Sequence, residues 1–210
     1  MLENVECLGH STIKFKINNK IIYIDPYNIK EEYKDADLIF ITHNHYDHFS
    51  KEDIKRIKKE NTIIVITEDI YNDTLELNFE EKNIVKVIPN REYQVEEISF
   101  NTIPSYNINK KFHPKENNWV GYILNLNNIK YYIAGDTDII DESKIVKCDV
   151  AFLPIGGTYT MNYKEAAELA NIIKPKIVVP IHYGIIVGTK EDATNFKELI
   201  NKDIECKIMY

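Results

Sequence analysis

The sequence predicts an α/β protein built from two β-sheets that carry helices on their outer faces. Two observations predict this class: strands and hairpins precede strand–helix alternation, and the second half of the chain repeats that order. The 210 residues suffice for one domain, and we expect a single domain over residues 1–210. Hydrophobic residues make up 44% of the chain and charged residues 28%, a balance typical of globular proteins.

The first half predicts a β-hairpin, two buried strands and one helix. Alternating or continuous apolar residues predict its strands at 12–17, 20–25, 37–41 and 62–66. Asn18 and Asn19 occupy the hairpin turn. Ser50 is the predicted N-cap of the helix, with Asp53 at its third position. Residues 68–80 fit neither a helix nor a strand pattern clearly.

The second half predicts a further hairpin and two capped helices. Its predicted strands cover residues 83–88, 95–103, 119–126, 129–135, 149–155, 176–182 and 204–209. Asn127 and Asn128 close the hairpin. Asn162 with Glu165 and Thr189 are the predicted caps of helices over 162–174 and 189–202.

Charge and cysteine content narrow the classes of function. The formal net charge of −7 argues against a general nucleic-acid or anionic-membrane binder. The three cysteines are odd in number and form no CxxC motif, which favours free thiols in a reducing compartment. Neither a signal-peptide pattern nor an apolar run of about 18 residues occurs. We therefore expect a cytoplasmic protein with no membrane span and no nucleic-acid partner; a homo-oligomer stays open, with residues 68–80 as a candidate contact.

One short segment carries the chemistry. His43, His45, Asp47 and His48 directly follow the buried strand at 37–41 and include three of the six histidines of the chain. In an extended segment His43 and His45 point the same way. Imidazole and carboxylate groups are ligands for zinc, iron or manganese, and the absence of a thiol argues against a closed structural zinc site. A polar turn with surface histidines is the alternative.

Four ligands on one short loop suit two ions about 3.5–4 Å apart that need further ligands from elsewhere. Asp136 and His182 each follow a later predicted strand. Taken alone, Asp136 would be a structural turn residue and His182 a capped histidine. Beside the first segment, both become candidate ligands.

These residues together carry a family resemblance. The H-x-H-x-D-H segment, the G-D-T at 135–137 and a strand-end histidine resemble the metallo-β-lactamase fold superfamily. The segments LGHST, YIDPY, PIGGTYTM and PIHYG are similar to a branch of small metal-dependent hydrolases that includes ascorbate-6-phosphate lactonase-like proteins. N-acyl-phosphatidylethanolamine phospholipase D-like proteins share the segment HNHYDH. The resemblance spans residue 8 to about residue 184. It implies an αβ/βα sandwich of two mixed β-sheets flanked by helices.

The resemblance also implies a site. Its ligand set would be His43 and His45 at a first metal, Asp47, His48 and His182 at a second, and Asp136 bridging both. A hydroxide between the ions would be the nucleophile, because bound cations lower the pKa of water. Asp47 would also hold or orient the proton of the attacking water, which makes it the catalytic candidate. Zinc is the expected cofactor, with two ions expected and one as the alternative; manganese or iron could replace it.

The sequence departs from the family pattern at one ligand. Family members usually supply a third histidine to the first metal, and Asn107 stands in the matching segment, TIPSYN. His113 could fold back as a substitute ligand, or it could be an ordinary loop histidine. The first site could also be weak or empty, or a neighbouring chain could complete it.

Two weaker signals accompany these motifs. His10 is either a residue that orients a ligand or, our preferred interpretation, a structural histidine. The segment PIGGTYTMN runs into a helix N-terminus, where backbone N–H groups favour an anion.

The sequence therefore predicts a metal-dependent hydrolase. Metal-bound hydroxide would attack an ester, lactone or phosphodiester of a small anionic substrate. The competing functions are a nuclease or RNA-processing phosphodiesterase, a di-iron oxidoreductase, and a non-catalytic metal-binding relative with an incomplete first site. The acidic charge and the length of the chain argue against the nuclease, and no flavin domain supports the oxidoreductase.

Overall fold

The structure is a computed structural model that describes all 210 residues. The chain forms two compact units, Met1–Ile88 together with Tyr210, and Pro89–Met209. Each unit contains one mixed β-sheet and short or medium-length helices. The expectation of a single domain over the whole chain stays a prediction.

The first unit is built on a six-stranded sheet of order β1-β2-β3-β4-β5-β6. Its strands are β1 Val5–Gly9, β2 Thr12–Ile17, β3 Lys20–Ile24, β4 Ala36–Phe40, β5 Lys58–Thr67 and β6 Ile84–Val87. The first three strands pair antiparallel, and β3 to β6 pair parallel. Helix α1, Lys51–Ile57, connects β4 to β5, and helix α2, Tyr71–Glu76, lies between β5 and β6. Two 3₁₀ turns, Glu68–Ile70 and Glu81–Asn83, flank α2.

The first hairpin forms as predicted. Asn18 and Asn19 both have positive φ, 50° and 58°, which a two-residue turn between right-twisted strands requires. The turn sets a register in which Ile13 pairs with Ile24, and both side chains are fully buried.

Helix α1 begins at its predicted cap and is held by one apolar face. The Ser50 side chain accepts a hydrogen bond from the Asp53 backbone N–H. Ile54 and Ile57 are fully buried in a cluster that includes Ile39 of β4 and Ile64 of β5. The connection from β4 to α1 is therefore anchored at both ends.

The second unit is built on a seven-stranded sheet of order β13-β12-β11-β10-β9-β8-β7. Its strands are β7 Glu92–Val95, β8 Ile98–Pro104, β9 Val120–Leu126, β10 Ile129–Ile133, β11 Val150–Pro154, β12 Ile177–Ile181 and β13 Glu205–Cys206. Strands β7 to β10 pair antiparallel, and β10 to β13 pair parallel. Its helices are α3 Asp141–Lys144, α4 Tyr163–Ile173 and α5 Lys190–Leu199, and a 3₁₀ turn covers Lys115–Asn117.

The predicted turn and caps of this unit are confirmed. Asn127 and Asn128 close the β9–β10 hairpin with φ values of 52° and 61°. The Asn162 side chain accepts from the N–H groups of Lys164 and Glu165, and the Glu165 carboxylate accepts from the Asn162 N–H. Because Asn162 occupies two N–H groups of this helix end, an anion would find fewer donors there than the sequence suggested.

Two sequence predictions need correction. Residues 95–103 do not form one strand, since the chain turns at Glu96, with φ 50°, between β7 and β8. The last strand spans only Glu205–Cys206 rather than 204–209. The ambiguous segment at 68–80 forms the 3₁₀ turn and α2.

The structure contains no helix with the length and apolar character that a membrane crossing requires.

Candidate metal centre

The connection between β4 and α1 carries the ligand group of the first unit. The backbone N–H groups of His48 and Phe49 both donate to the His45 carbonyl, at 2.9 and 2.7 Å, which folds the segment into a tight turn. His43, Asp47 and His48 are buried. The imidazoles of His43 and His45 face each other, with His43 Nε2 and His45 Nδ1 3.1 Å apart.

A buried carboxylate determines which nitrogens of this group carry protons. Asp25 lies immediately after β3 and accepts hydrogen bonds from the Thr42 N–H at 2.8 Å, the Thr42 hydroxyl at 2.7 Å and His48 Nδ1 at 2.7 Å. The Thr42 hydroxyl has one proton, and it donates that proton to Asp25. His43 Nδ1 lies 2.9 Å from Thr42 Oγ1, so His43 must be the donor of that second hydrogen bond. In both His43 and His48 the proton is therefore on Nδ1, and Nε2 carries the lone pair that a metal needs.

His10 joins this group from the turn between β1 and β2. Its Nε2 lies 2.8 Å from Asp47 Oδ2, and Asp47 Oδ2 lies 3.6 Å from His48 Nε2. The His10 backbone has φ 52°, a conformation unusual for a side chain larger than glycine. The Tyr210 hydroxyl donates a 2.7 Å hydrogen bond to the His10 carbonyl and supports that conformation.

Sequence reasoning offers His10 at the site only as its less favoured alternative, a residue that orients a ligand, and does not place Asp25 or Thr42 there at all. His10 and Asp47 are 37 positions apart, and Asp25 and His48 are 23 positions apart. The segments LGHST and YIDPY, which carry part of the family resemblance, are the only sequence signal for His10 and Asp25.

The second unit has a ligand group of its own at the carboxyl ends of its parallel strands. Asp136 follows β10 and His182 follows β12, and the carboxyl ends of parallel strands lie at the same edge of a sheet. Asp136 Oδ2 lies 3.0 Å from His182 Nε2 and 3.3 Å from His113 Nε2. All three side chains are buried.

Asn107 holds His113 in place. Asn107 Oδ1 lies 3.0 Å from His113 Nδ1, and the backbone N–H of Asn107 donates to the His113 carbonyl at 2.7 Å. The Asn107 amide donates in turn to the Tyr159 carbonyl at 2.9 Å. The loop therefore folds back so that His113 offers Nε2 beside Asp136, while Asn107 orients the imidazole from behind.

The donor atoms of each group fit a bound divalent metal. Ligands about 2.0–2.1 Å from a tetrahedral zinc lie about 3.3 Å from one another. Within the first unit, His43 Nε2 and His45 Nδ1 are 3.1 Å apart, and Asp47 Oδ2 and His48 Nε2 are 3.6 Å apart; within the second unit the donor pairs are 3.0 and 3.3 Å apart. The sets are composed of imidazole nitrogen and carboxylate oxygen, which suits zinc, manganese or iron.

The family follows from comparison with known proteins. A family model described as a beta-lactamase superfamily domain matches residues 4–182. The chain belongs to the beta-lactamase superfamily. This superfamily member is 32% identical to a UPF0173 metal-dependent hydrolase of Thermococcus onnurineus over 98% of the chain and 95% of the relative.

Solved structures agree with this assignment. The superfamily member superposes on a Parabacteroides distasonis protein, described as a metal-dependent hydrolase, with a TM-score of 0.84 and 30% identity, covering 98% of this chain and 91% of that one. For Igni18, a metallo hydrolase of Ignicoccus hospitalis, the TM-score is 0.76 at 24% identity, covering 98% and 94%. The predicted fold class, two mixed sheets flanked by helices, is confirmed. The superfamily member is a metal-dependent hydrolase.

Gly156 leaves room for His182 in this superfamily member. A Cβ at position 156 would lie 2.5 Å from the His182 carbonyl oxygen and 2.6 Å from Val187 Cγ2. We expect Gly156→Ala to lower the free energy of unfolding by about 1–3 kcal/mol, because a backbone carbonyl cannot move aside cheaply. Thermal denaturation of this variant beside Thr158→Ala, at an exposed neighbouring position, checks the expectation. Equal melting temperatures for the two variants would show that the site tolerates a Cβ.

Proposed function

We propose that this superfamily member hydrolyses an ester, lactone or phosphodiester bond of a small anionic substrate. The observation that carries the proposal is the Asp25–Thr42 network, which fixes two buried imidazoles with Nε2 as the acceptor nitrogen. Metal-ligating histidines almost always donate the ring N–H that does not bind the metal to a fixed acceptor, as His48 does to Asp25. The net charge of −7 supports a small molecule rather than a nucleic acid as the substrate.

The proposed ligand assignment rests on family membership. It comprises His43 and His45 at one ion, Asp47, His48 and His182 at the other, Asp136 bridging, and His113 in place of the usual third histidine. Zinc is the proposed metal, with two ions for each chain. When bound, such ions supply a hydroxide nucleophile at neutral pH and polarise the bond to be cleaved. The family match at residues 4–182 includes sequence of both compact units, which supports one metallo-hydrolase domain.

The protein side chains have distinct roles in this proposal. Asp47 holds the proton of the attacking water on its carboxylate, and His10 Nε2, 2.8 Å from Asp47 Oδ2, keeps that carboxylate in one orientation. Asp25 keeps His48 in the tautomer that binds metal. Asn107 does the same for His113, since Asn107 Oδ1 accepts from His113 Nδ1.

Metal content and hydrolysis measured together test this function. The protein is purified without added metal or affinity-tag histidines, and its metals are quantified by mass spectrometry. We expect close to two zinc ions for each chain, and hydrolysis of one member of a panel comprising an ester, a lactone and a phosphodiester. A chelator should abolish that hydrolysis, and added zinc should restore it.

Other outcomes would contradict parts of the proposal. One ion for each chain would replace the dinuclear assignment by a single-metal enzyme. No metal after reconstitution with zinc, manganese and iron would overturn the catalytic role. A fully loaded protein that cleaves none of the three bond types would overturn the proposed substrate class.

A further inference from the structure

The ligand loop of the first unit has a second set of side chains that the metal chemistry does not use. His43, His45 and Asp47 belong to the ligand group, whereas the intervening Asn44 and Tyr46 line a cavity of about 440 Å³. This volume lies within the range of about 300–1,000 Å³ that is usual for small-molecule sites. All the residues around the cavity belong to the first unit.

Aromatic rings form the wall of this cavity. The Tyr27 and Tyr46 rings meet edge to face, with centroids 6.0 Å apart, and 65% of Tyr46 is exposed. Phe49 and Ile70 also line the cavity and are themselves buried. The Tyr27 ring also lies against the His10 imidazole, with centroids 5.7 Å apart. The aromatic wall therefore begins at the residue that orients Asp47.

The charged groups at the cavity are already paired with one another. Lys51 Nζ lies 2.5 Å from Asp73 Oδ1 and 2.8 Å from Glu76 Oε2, and Lys55 pairs with Glu52 at 3.1 Å. The Asn44 side chain is exposed and makes no hydrogen bond within the protein. A ligand would therefore meet aromatic rings, the Asn44 amide and charged side chains that each already have a partner of opposite charge.

We propose that this cavity, which we call the Tyr27–Tyr46 pocket, binds an uncharged aromatic group of the substrate. The inference rests on the proposed function, because it assigns the pocket to the substrate of the adjacent ligand group. Ring faces and edges offer an aromatic group both stacked and edge-to-face contacts. The Asn44 amide can hydrogen-bond a polar substituent on that group. The substrate is thus an aryl or arylalkyl ester, lactone or phosphodiester.

Binding of 1-naphthol, a neutral aromatic probe, tests the pocket without any need for turnover. The dissociation constant is measured by saturation-transfer NMR on the purified, metal-containing protein. We expect Tyr46→Ala to weaken binding about 3- to 10-fold, because a ring contact of this kind is lost. Tyr46→Phe should bind within about twofold of the unchanged protein, since it keeps the ring.

Two further variants serve as controls. Tyr33→Ala removes an exposed ring of the first unit that does not line the pocket and should leave naphthol binding unchanged. Tyr27→Ala removes the opposite wall and should weaken binding as Tyr46→Ala does. Because Tyr46 lies between two ligand residues, Tyr46→Ala could lose its metal. In that case the naphthol affinity of Tyr27→Ala is the result that tests the pocket.

The outcomes separate this inference from the proposed function. Equal naphthol affinity in the unchanged protein, Tyr46→Ala and Tyr27→Ala would overturn the pocket, as would no binding to the unchanged protein. Tyrosine-dependent binding supports the pocket even if none of the three bond types is hydrolysed. Where hydrolysis is found, the preference in kcat/KM for a phenyl over a methyl ester should fall about 3- to 10-fold in Tyr46→Ala.

Discussion

Asp136→Asn is expected to reduce kcat/KM by at least about 10³-fold and to lower the metal content of the protein. Asp136 Oδ2 lies within 3.0 and 3.3 Å of two imidazole nitrogens and the side chain is only 3% exposed, so its charge is central to the ligand group of the second unit. In the proposed assignment this carboxylate would bridge two ions and would stabilise the transition state by several kcal/mol through them, and each 1.36 kcal/mol is tenfold in rate. An amide has nearly the same shape but no charge.

The measurement pairs zinc content with the kinetics of hydrolysis. Asp141→Asn is the matched control, because it removes the same charge from a side chain that is 95% exposed. That control should retain both its zinc and its activity. If Asp136→Asn kept two zinc ions and its full rate, the bridging role would be wrong.

Asp25→Asn should weaken metal affinity or activity about 10- to 100-fold, the usual effect of removing a group that orients a metal ligand. Asp25 has a positive φ of 44°, which asparagine tolerates well, so the backbone is not strained by the change. The new amide has only one oxygen, whereas the carboxylate accepts three hydrogen bonds from Thr42 and His48. At least one of those donors would then face an N–H₂ group.

Zinc titration against a competing chelator measures this loss. Glu32→Gln, which removes an exposed carboxylate of the same unit, is the control and should bind zinc normally. Thermal denaturation of both zinc-loaded variants shows whether Asp25→Asn still folds. Unchanged zinc affinity in a folded Asp25→Asn protein would show that the tautomer of His48 does not depend on this carboxylate.

Local signals made much of the fold predictable. Asn18 and Asn19, like Asn127 and Asn128, mark turns because asparagine accepts positive φ at little cost, and both hairpins form there. Ser50 and Thr189 each accept a hydrogen bond from a first-turn N–H, as their sequence context predicts. In these cases the turn or helix start is determined by a few residues that are neighbours in the sequence.

The remaining features depend on contacts that a local pattern does not contain. Glu96 turns the chain with φ 50° although glutamate carries no turn signal, so residues 95–103 resembled one strand. The position of His113 beside Asp136 depends on how a whole loop closes on Asn107. Predicting the hydrogen bonds of Asp25 requires the knowledge that β3 and β4 are neighbouring parallel strands whose carboxyl ends are adjacent. That pairing is a property of the sheet and not of a local segment.

The hydrogen bond from the Tyr210 hydroxyl to the His10 carbonyl can form only after residue 210 has been synthesised. The support of the His10 turn is therefore completed late in translation. The two residues are 200 positions apart, whereas the strands of the first sheet are all complete by Val87. At about 5–20 residues per second, the ribosome delivers Tyr210 roughly 10–40 s after His10. During that interval a nascent first unit would hold its histidines without the support of the His10 turn. Metal capture at this group would then be slower before Tyr210 is synthesised than after it.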